Sequence, residues 1–569
     1  MTIEVLVGIV ISVITISVLL YAAVRYKNKV RNKLYAKQNY EWDNPRDFYL
    51  DKSRMKELYD TYQYMDYSED SIDDITWNDL EMDGLFCKIN LTKTTMGEVY
   101  LYNSLRNPLK NLSELQERDE LIELFTNERK LCNKKRAELE KIGNRLHFSI
   151  FEYKEIFENE NPINIIPSIV IVALQILSFF SFFINPYFGI AFVGLTLILN
   201  VFVYYRSRAK IERYLPFINQ ITSMLERTKA LSIESGNPRL DQYLSQLKLS
   251  RKIYKKYRKL AQLVSFRINN RTTELDAFFD YIRCVFHVDL FAFYKLNKFM
   301  IRDMDIIINC YHIIGYLDAM ISIAYFRNYL SLSYANYGYC KPQFTGESLT
   351  INGLYQPLLD HPVENSFHTK RSMLITGSNA TGKSTFLRTV AVNAILAQTI
   401  YTVCARSYQA PFFHVMTSMI IKDNIYSNDS YFMMEIKSIK RILDASKQNR
   451  KMLCCIDEVL KGTNTVERIG AAAEILKSIS ESNTICLAAS HDIELTSILN
   501  QYYDNYHFQE SITSEGLECD YVLYKGETKS RNAIDLLKLM GYSDEIVRNA
   551  KYKVNHYLES GEWIEMICR

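Results

Sequence analysis

Residues 374–390 read LITGSNATGKSTFLRTV, and the fold turns on how this stretch is read. An apolar run ending in Leu374-Ile375-Thr376 opens into a loop, Gly377 to Ser384, that fits G-x-x-x-x-G-K-[ST]. A helix-forming segment follows. Strand, glycine loop and helix in that order make a phosphate cradle, because glycines let backbone N–H groups wrap phosphate oxygens while the helix N-terminus favours negative charge. Lys383 is placed to reach the β- and γ-phosphates of ATP, and Ser384 to hold Mg2+. The candidate nucleotide-binding residues are therefore Gly377, Ser378, Asn379, Ala380, Thr381, Gly382, Lys383, Ser384 and Thr385. Chance matches to this pattern in a chain of such length are on the order of 1%.

Two further strands complete the pattern. KMLCCIDEV is a short apolar run, Met452 to Ile456, ending in two carboxylates. Asp457 is the candidate for the metal's ligand shell, and Glu458 for orienting or deprotonating the attacking water. A second run, NTICLAAS, ends at His491, where a residue sensing the γ-phosphate would lie. The expected catalytic set is Lys383, Glu458 and His491, with Ser384 and Asp457 at the metal.

The whole chain is long enough for two to four domains. Its 569 residues carry a formal net charge of only +3, so charge does not mark the whole molecule as a polyanion binder. The 11 cysteines lack C-x-x-C spacing, which reads as reduced thiols in a cytosolic compartment with no zinc site.

Val5 to Val24 holds no charge, and twenty helical residues span about 30 Å, the thickness of a bilayer's hydrocarbon core. A cleaved signal peptide is the competing reading, but Glu4 stands where basic residues would precede one. Arg25, Lys27, Lys29, Arg31 and Lys33 come immediately after it and direct the remainder to the cytoplasm. From Asn161 to Tyr205 there is again no charge, and Asn185-Pro186 divides the tract into Ile163 to Ile184 and Tyr187 to Tyr205. This predicts a membrane hairpin. A pair of buried core helices is the alternative, favoured by Gln175 and Asn200.

At the loop and strand ends the sequence resembles the MutS family. TGSNATGKSTFLR is similar to that family's TGPNMGGKST loop, SYFMMEI (430–436) to its signature loop, IDEVLKGTNT to its MDE-x-x-x-GT-S-T, and AASHDIEL to its AT-H-x-x-EL. Ala380-Thr381 and the VERIG that comes after Thr465 depart from the pattern. Residues 85–125 carry a second likeness, in which Asn90, Thr92, Thr95, Met96, Gly97, Leu101, Leu105, Arg106 and Pro108 fall in the family's core pattern. GYLDAMISIA, Gly315 to Ala324, resembles the end of its lever helices. The resemblance implies an ABC-type ATPase working as a homodimer, with Ser430 reaching the partner's γ-phosphate and Thr463, Asn464 and Thr465 near the same interface. With 84 residues before the core and no Phe-x-Glu among them, mismatch reading by the usual wedge is not expected.

One segment stands apart. LKLSRKIYKKYRKLAQL, Leu247 to Leu263, is basic without an acid, while Leu249, Ile253, Tyr257 and Leu260 recur at helical spacing. Lys252, Lys255, Lys256 and Lys259 on such a helix suit double-stranded DNA without sequence preference, anionic lipid, or solvent alone.

The expected architecture is an α/β P-loop NTPase of ABC type with an all-α lever and core domain and about three transmembrane helices. The expected segments are an anchor (1–33), a linker (34–84), a helical core (85–160), the hairpin (161–205), a lever region (206–340) and the ATPase domain (341–569). The expected location is the cell membrane, multi-pass, with the ATPase domain cytoplasmic. The expected function is a membrane-anchored ATPase that moves its levers on ATP binding and is related to DNA mismatch repair. The rival is an ATP-gated membrane switch or scaffold acting on a protein or lipid partner, with no DNA role.

Overall fold

The computed structural model describes residues 32–44, 51–63, 70–143, 150, 164–265, 281–378, 381–419, 431–448, 450–513, 516–527 and 540–563, with a few isolated positions besides. The chain divides into two compact units. The first comprises Met1–Asp66, Ile89–Asn103 and Glu120–Phe326, and the second Tyr67–Lys88, Ser104–Asp119 and Arg327–Arg569.

Helices build the first unit, among them α1 (Thr95–Arg106, in this unit to Asn103), α2 (Ile166–Ser181), α3 (Pro186–Glu212), α4 (Leu215–Leu231), α5 (Ser250–Ser265), α6 (Val288–Arg302) and α7 (Met304–Ser333, in this unit to Phe326). Its core is organised around Asp318 of α7. This buried carboxylate accepts hydrogen bonds from the backbone N–H of Lys93 (2.9 Å) and Thr94 (2.8 Å) and from the Thr94 hydroxyl (2.7 Å). Thr94 in turn accepts from the N–H of Gly97 at 3.0 Å, which caps the start of α1. Burial pushes the Asp318 carboxyl up to about 6, against the pull of its Thr94 and Lys93 donors. The backbones approach closely here. A Cβ on Gly97 would lie 2.4 Å from an Asp318 oxygen, and one on Gly315 would lie 2.6 Å from the Met96 carbonyl. Gly97 of the core pattern and Gly315 of the lever-like segment are thus steric requirements.

Of the expected membrane segments, Val5 to Val24 lies almost entirely outside the described residues. The second tract does form a helical hairpin, with α2 packed on α3 and Asn185 capping α3. It is not a pair of core helices, since Phe183, Ile184, Tyr187 and Ile198 are among its many exposed apolar side chains. By length and composition α3 could cross a membrane; α2, at 16 residues, is shorter than the 22-residue arm expected. Helix α7 passes the same test of length and apolarity but is mostly buried, so it is a core helix of the protein.

The basic segment is not one helix. The preceding helix ends at Leu247 with Lys248 as its C-cap, and α5 starts at Ser250. Leu249, in the junction, is exposed, and the apolar face is instead Ile253, Tyr257, Ala261 and Val264, with Leu260 half-buried. Lys252, Lys255, Lys256 and Lys259 point outward, Lys256 lying over the Phe299 ring at 3.8 Å.

The second unit is α/β. A six-stranded sheet has the order β10-β9-β4-β8-β7-β6, built from β4 (Ser372–Thr376), β6 (His414–Ser418), β7 (Met452–Asp457), β8 (Thr484–Ser490), β9 (Tyr503–Thr513) and β10 (Gly516–Lys525). All neighbours pair in parallel except β9 and β10. A smaller sheet holds β1 (Gln343–Phe344), β2 (Leu349–Leu354), β3 (Asn365–Thr369) and β5 (Ser407–Ala410). Strands β4 and β8 are buried at every residue, as is β7 up to Ile456, which explains their unbroken apolar runs: helices cover both faces of a parallel sheet. Helices α8 (Lys383–Thr399), α9 (Tyr431–Ser446) and α10 (Thr465–Ser480) belong to this unit.

The packing around Asp318 makes a measurable demand. Gly97→Ala forces the α1 and α7 backbones apart and should cost about 1–3 kcal/mol, the usual size of an overpacking penalty. Urea unfolding of the full chain, monitored by tryptophan fluorescence, should show a lower first midpoint. An unchanged midpoint would show that the contact yields without strain.

Candidate nucleotide site

The register of the parallel strands assembles the site. Thr376 of β4 lies opposite Ser490 of β8, and Ala489 opposite Asp457 of β7. Three strands therefore end level, and the glycine loop, Glu458 and His491, each next in the chain after one of them, share the same sheet edge. Ligands of open α/β sheets bind at such carboxyl ends. A cleft of about 380 Å3 opens there, lined by Gly382, Lys383, Ser384, Thr385, Asp457, Glu458 and His491. The lining also includes the apolar side chains of Leu359, Pro362, Val363, Phe386 and Phe508, with Tyr521.

The loop leaves β4 through Gly377 and enters α8 through Gly382, whose φ values of 148° and 100° suit glycine. Lys383 is buried and bends back over its own loop, donating to the carbonyls of Gly377 (2.8 Å) and Ser378 (2.6 Å). Burial lowers its pKa to about 8, although the carboxylates of Asp457, Glu458 and Glu510 pull the other way. Thr381 closes the loop by donating to the Ser378 carbonyl at 2.9 Å. Asn379 and Ala380 lie outside the described residues.

Glu458 succeeds β7 in a left-handed conformation, φ 61°, that turns its side chain away from the strand line. Its carboxylate meets His491 Nε2 at 3.0 Å and Lys461 Nζ at 3.4 Å. Burial would raise its pKa, yet these two partners hold it below the usual carboxylate range.

Thr463, Asn464 and Thr465 are not among the residues that line the cleft. Ser430 lies outside the described residues. Asn464 caps α10 by accepting from the Glu467 N–H at 3.0 Å; Thr465 begins that helix and is exposed, as is Asn464. Thr463 donates to Glu467 at 3.3 Å. The segment SYFMMEI and the segment IDEVLKGTNT are joined, because buried Glu435 accepts from the Lys461 N–H at 3.0 Å and the Phe432 ring rests against Gly462. The four lysines of α5 belong to the other unit.

Three features went unread in the sequence. Arg468 grips Asp492 with two hydrogen bonds, at 2.9 and 2.6 Å, tying α10 to the loop that carries His491. Both residues sit inside the stretches VERIG and AASHDIEL, and their opposite charges were the available signal. Tyr521 occupies a bulge of β10 at φ 57° and lies against Gly382, while Asn365 holds the bulge through the Tyr521 carbonyl (3.0 Å) and the Leu523 N–H (2.7 Å). Glu510 of β9 accepts from the Ser378 hydroxyl. Neither of the latter contacts has a local sequence mark.

The fold and the cleft have the arrangement of a P-loop α/β domain. Comparison with known proteins narrows the class: residues 373–558 match the family model MutS domain V. The DNA mismatch repair protein MutS of Natronomonas pharaonis is 30% identical over 228 residues, 38% of this chain and 26% of that protein. That of Aquifex pyrophilus is 24% identical over 511 residues, 82% of this chain and 59% of that protein. MutS protein homolog 4 of Homo sapiens is 28% identical over 288 residues, 48% and 30% of the two chains. The chain thus carries a segment that matches MutS domain V and is similar to MutS proteins over most of its length. It spans less than two thirds of the length of each of these relatives.

The lowered pKa of Lys383 gives a pH test with a definite sign. Because its folded value lies below the ordinary 10.5, burial costs stability below about pH 8, and that cost is relieved as pH rises from about 8 towards 10.5. Near pH 8 about half of the side chains are neutral, and a bound phosphate favours the ammonium form. Binding of a nucleoside diphosphate should then take up as much as about half a proton per site at pH 8 and almost none at pH 6.5. Calorimetry in buffers of different ionisation enthalpy measures this. Equal uptake at both pH values would show that Lys383 keeps an ordinary pKa.

Proposed function

We propose that the chain binds ATP in this cleft and hydrolyses it, working as a dimer. The observation that carries the reading is the convergence of Lys383, Ser384, Asp457, Glu458 and His491 on one sheet edge. In this reading Lys383 exchanges its two loop carbonyls for phosphate oxygens. Ser384 and Asp457 hold Mg2+, which keeps most of its waters and needs only one or two protein oxygens beside the phosphates, so a hydroxyl and a carboxylate on one wall fit it. When bound, the ion neutralises phosphate charge. Glu458, kept ionised by His491 and Lys461, orients and deprotonates the attacking water. His491 reports the state of the γ-phosphate to Glu458 through their shared contact.

The dimer reading has Ser430 reaching the partner's nucleotide, with Thr463, Asn464 and Thr465 at the same face. Exposed Val466, Met433 and Ile436, on the helices next to these segments in the chain, support a face that is covered in the working state. The names of the relatives support a role in DNA mismatch repair, with the basic face of α5 meeting duplex phosphates and movement of the helical unit coupled to ATP. A second reading is favoured by the exposed apolar hairpin: an ATP-gated switch held at the cell membrane, with the P-loop unit in the cytoplasm and a protein or lipid partner.

Glu458→Gln should keep nucleotide affinity and lose hydrolysis by about 100-fold or more, the range of a general base. Phosphate release near the wild-type rate would take Glu458 out of this role. Changing Lys252, Lys255, Lys256 and Lys259 together to Gln separates the two partner readings. On duplex DNA the slope of log K against log salt should flatten by up to roughly 3–4, matched and mismatched duplexes alike. An unchanged slope would leave α5 without a DNA role.

A further inference from the structure

The hairpin of α2 and α3 is built inside out. Ser168, Gln175, Ser178, Thr196 and Asn200 are buried in it, while the outward surface is Phe, Ile, Leu and Tyr. Two of these groups join the arms: Thr196 donates to Ser178 at 3.1 Å, and Ser178 to the Gln175 carbonyl at 2.7 Å. A soluble protein places these classes the other way round. Exposed Arg206, Lys210 and Arg213 come after the apolar stretch and suit an anionic lipid surface.

The turn is finished in the same manner. The N–H groups of Phe182, Phe183, Ile184 and Asn185 bond to carbonyls of residues 179–181, and Pro186 has none to satisfy. Asn185 then accepts from Tyr187 (3.0 Å) and Phe188 (3.3 Å) through its side chain, and from Gly189 (2.8 Å) through its carbonyl. From 182 to 189, then, each backbone N–H has a partner within the turn. Phe183, Ile184 and Tyr187 on this turn are 87–88% exposed, and the turn carries no charge. An unpaired N–H is costly in hydrocarbon, and the turn presents none there.

The base of the hairpin sets how far it reaches. Asn200 donates to the Val285 carbonyl at 3.1 Å, and Tyr204 and Arg208 bond Asp289 at 2.9 and 2.6 Å, so from Asn200 onward α3 is part of the helical unit. Arg283, two residues from Val285, brings charge to that level. The free part of α3, residues 186–199, is then about 21 Å long against a hydrocarbon core of about 30 Å.

We propose that the hairpin is a re-entrant wedge whose occupied surroundings are phospholipid acyl chains, and that its turn ends inside the bilayer, about 9 Å short of the far headgroups. The proposal rests on the membrane reading above and replaces a crossing and return with a single-sided insertion. It fixes both ends of the hairpin on the side of the P-loop unit.

The full chain with Phe183→Cys, carrying an environment-sensitive fluorophore at that cysteine, is reconstituted into sealed vesicles of phosphatidylcholine and phosphatidylglycerol. Site-specific attachment is checked against the parent chain by peptide mass. Lipids with nitroxides deep in the acyl chain should quench the label more strongly than headgroup nitroxides, and iodide should not reach it from either side. Asn185→Ala, which strips the partners from two turn donors, should bring the label measurably shallower. Quenching by iodide from the far side alone would mean that the hairpin crosses, overturning the wedge while the membrane reading stands. Quenching by iodide from the P-loop side with no lipid quenching, or protection that persists in lipid-free protein through a second copy, would overturn both.

Discussion

The parallel register of β4, β8 and β7 is the constraint on which the site depends. A one-residue slip in any of these strands would move its terminal residue to the other face of the sheet and separate the glycine loop from Glu458 and His491. Burial at nearly every position of the three strands protects the register, since each must keep its apolar residues under helices on both faces. Precision at the cleft is thus produced by packing some distance from it. The strained turn at Glu458 and the glycine at each end of the loop are local additions to that frame.

The parts of the site that were legible in the sequence are those whose chemistry is local. The phosphate loop must be glycine, lysine and hydroxyl at fixed spacing, and a carboxylate pair after an apolar strand needs no knowledge of the rest. The Asp318 core was legible only in outline. Its pattern pointed to Gly97 and Met96, yet the hydroxyl that binds the buried carboxylate belongs to Thr94, while Thr92 bonds Asn90 and not Asp318. Spacing identifies a segment more readily than it says which of several threonines turns inward.

Contacts between residues far apart in the chain are the ones that sequence reasoning missed. Asn365 holds the bulge at Tyr521 across 156 positions, and Ser378 meets Glu510 across 132. No periodicity announces such a pair. Arg468 and Asp492 lie closer, 24 positions apart, and mark a place where this chain fastens the His491 loop with an ion pair. That pair is mostly shielded from solvent, a setting in which a two-point arginine contact fixes geometry more than it adds stability.

The apolar helices show the limit of hydropathy most plainly. Helices α3 and α7 both have the length and composition to cross a bilayer. They differ in where their polar residues go. In α7, Asp318 and Ser322 bond backbone groups of the segment before α1, so the helix is surrounded by protein that needs those contacts. In α3, Thr196 turns to the other arm of its own hairpin, and the long side chains of Leu195, Leu197, Ile198 and Leu199 are exposed. A count of apolar residues is the same kind of number for both. The direction in which the few polar groups point is what distinguishes a helix that has found its protein surroundings from one that has not, and in the wedge proposed for the hairpin the missing surroundings are lipid.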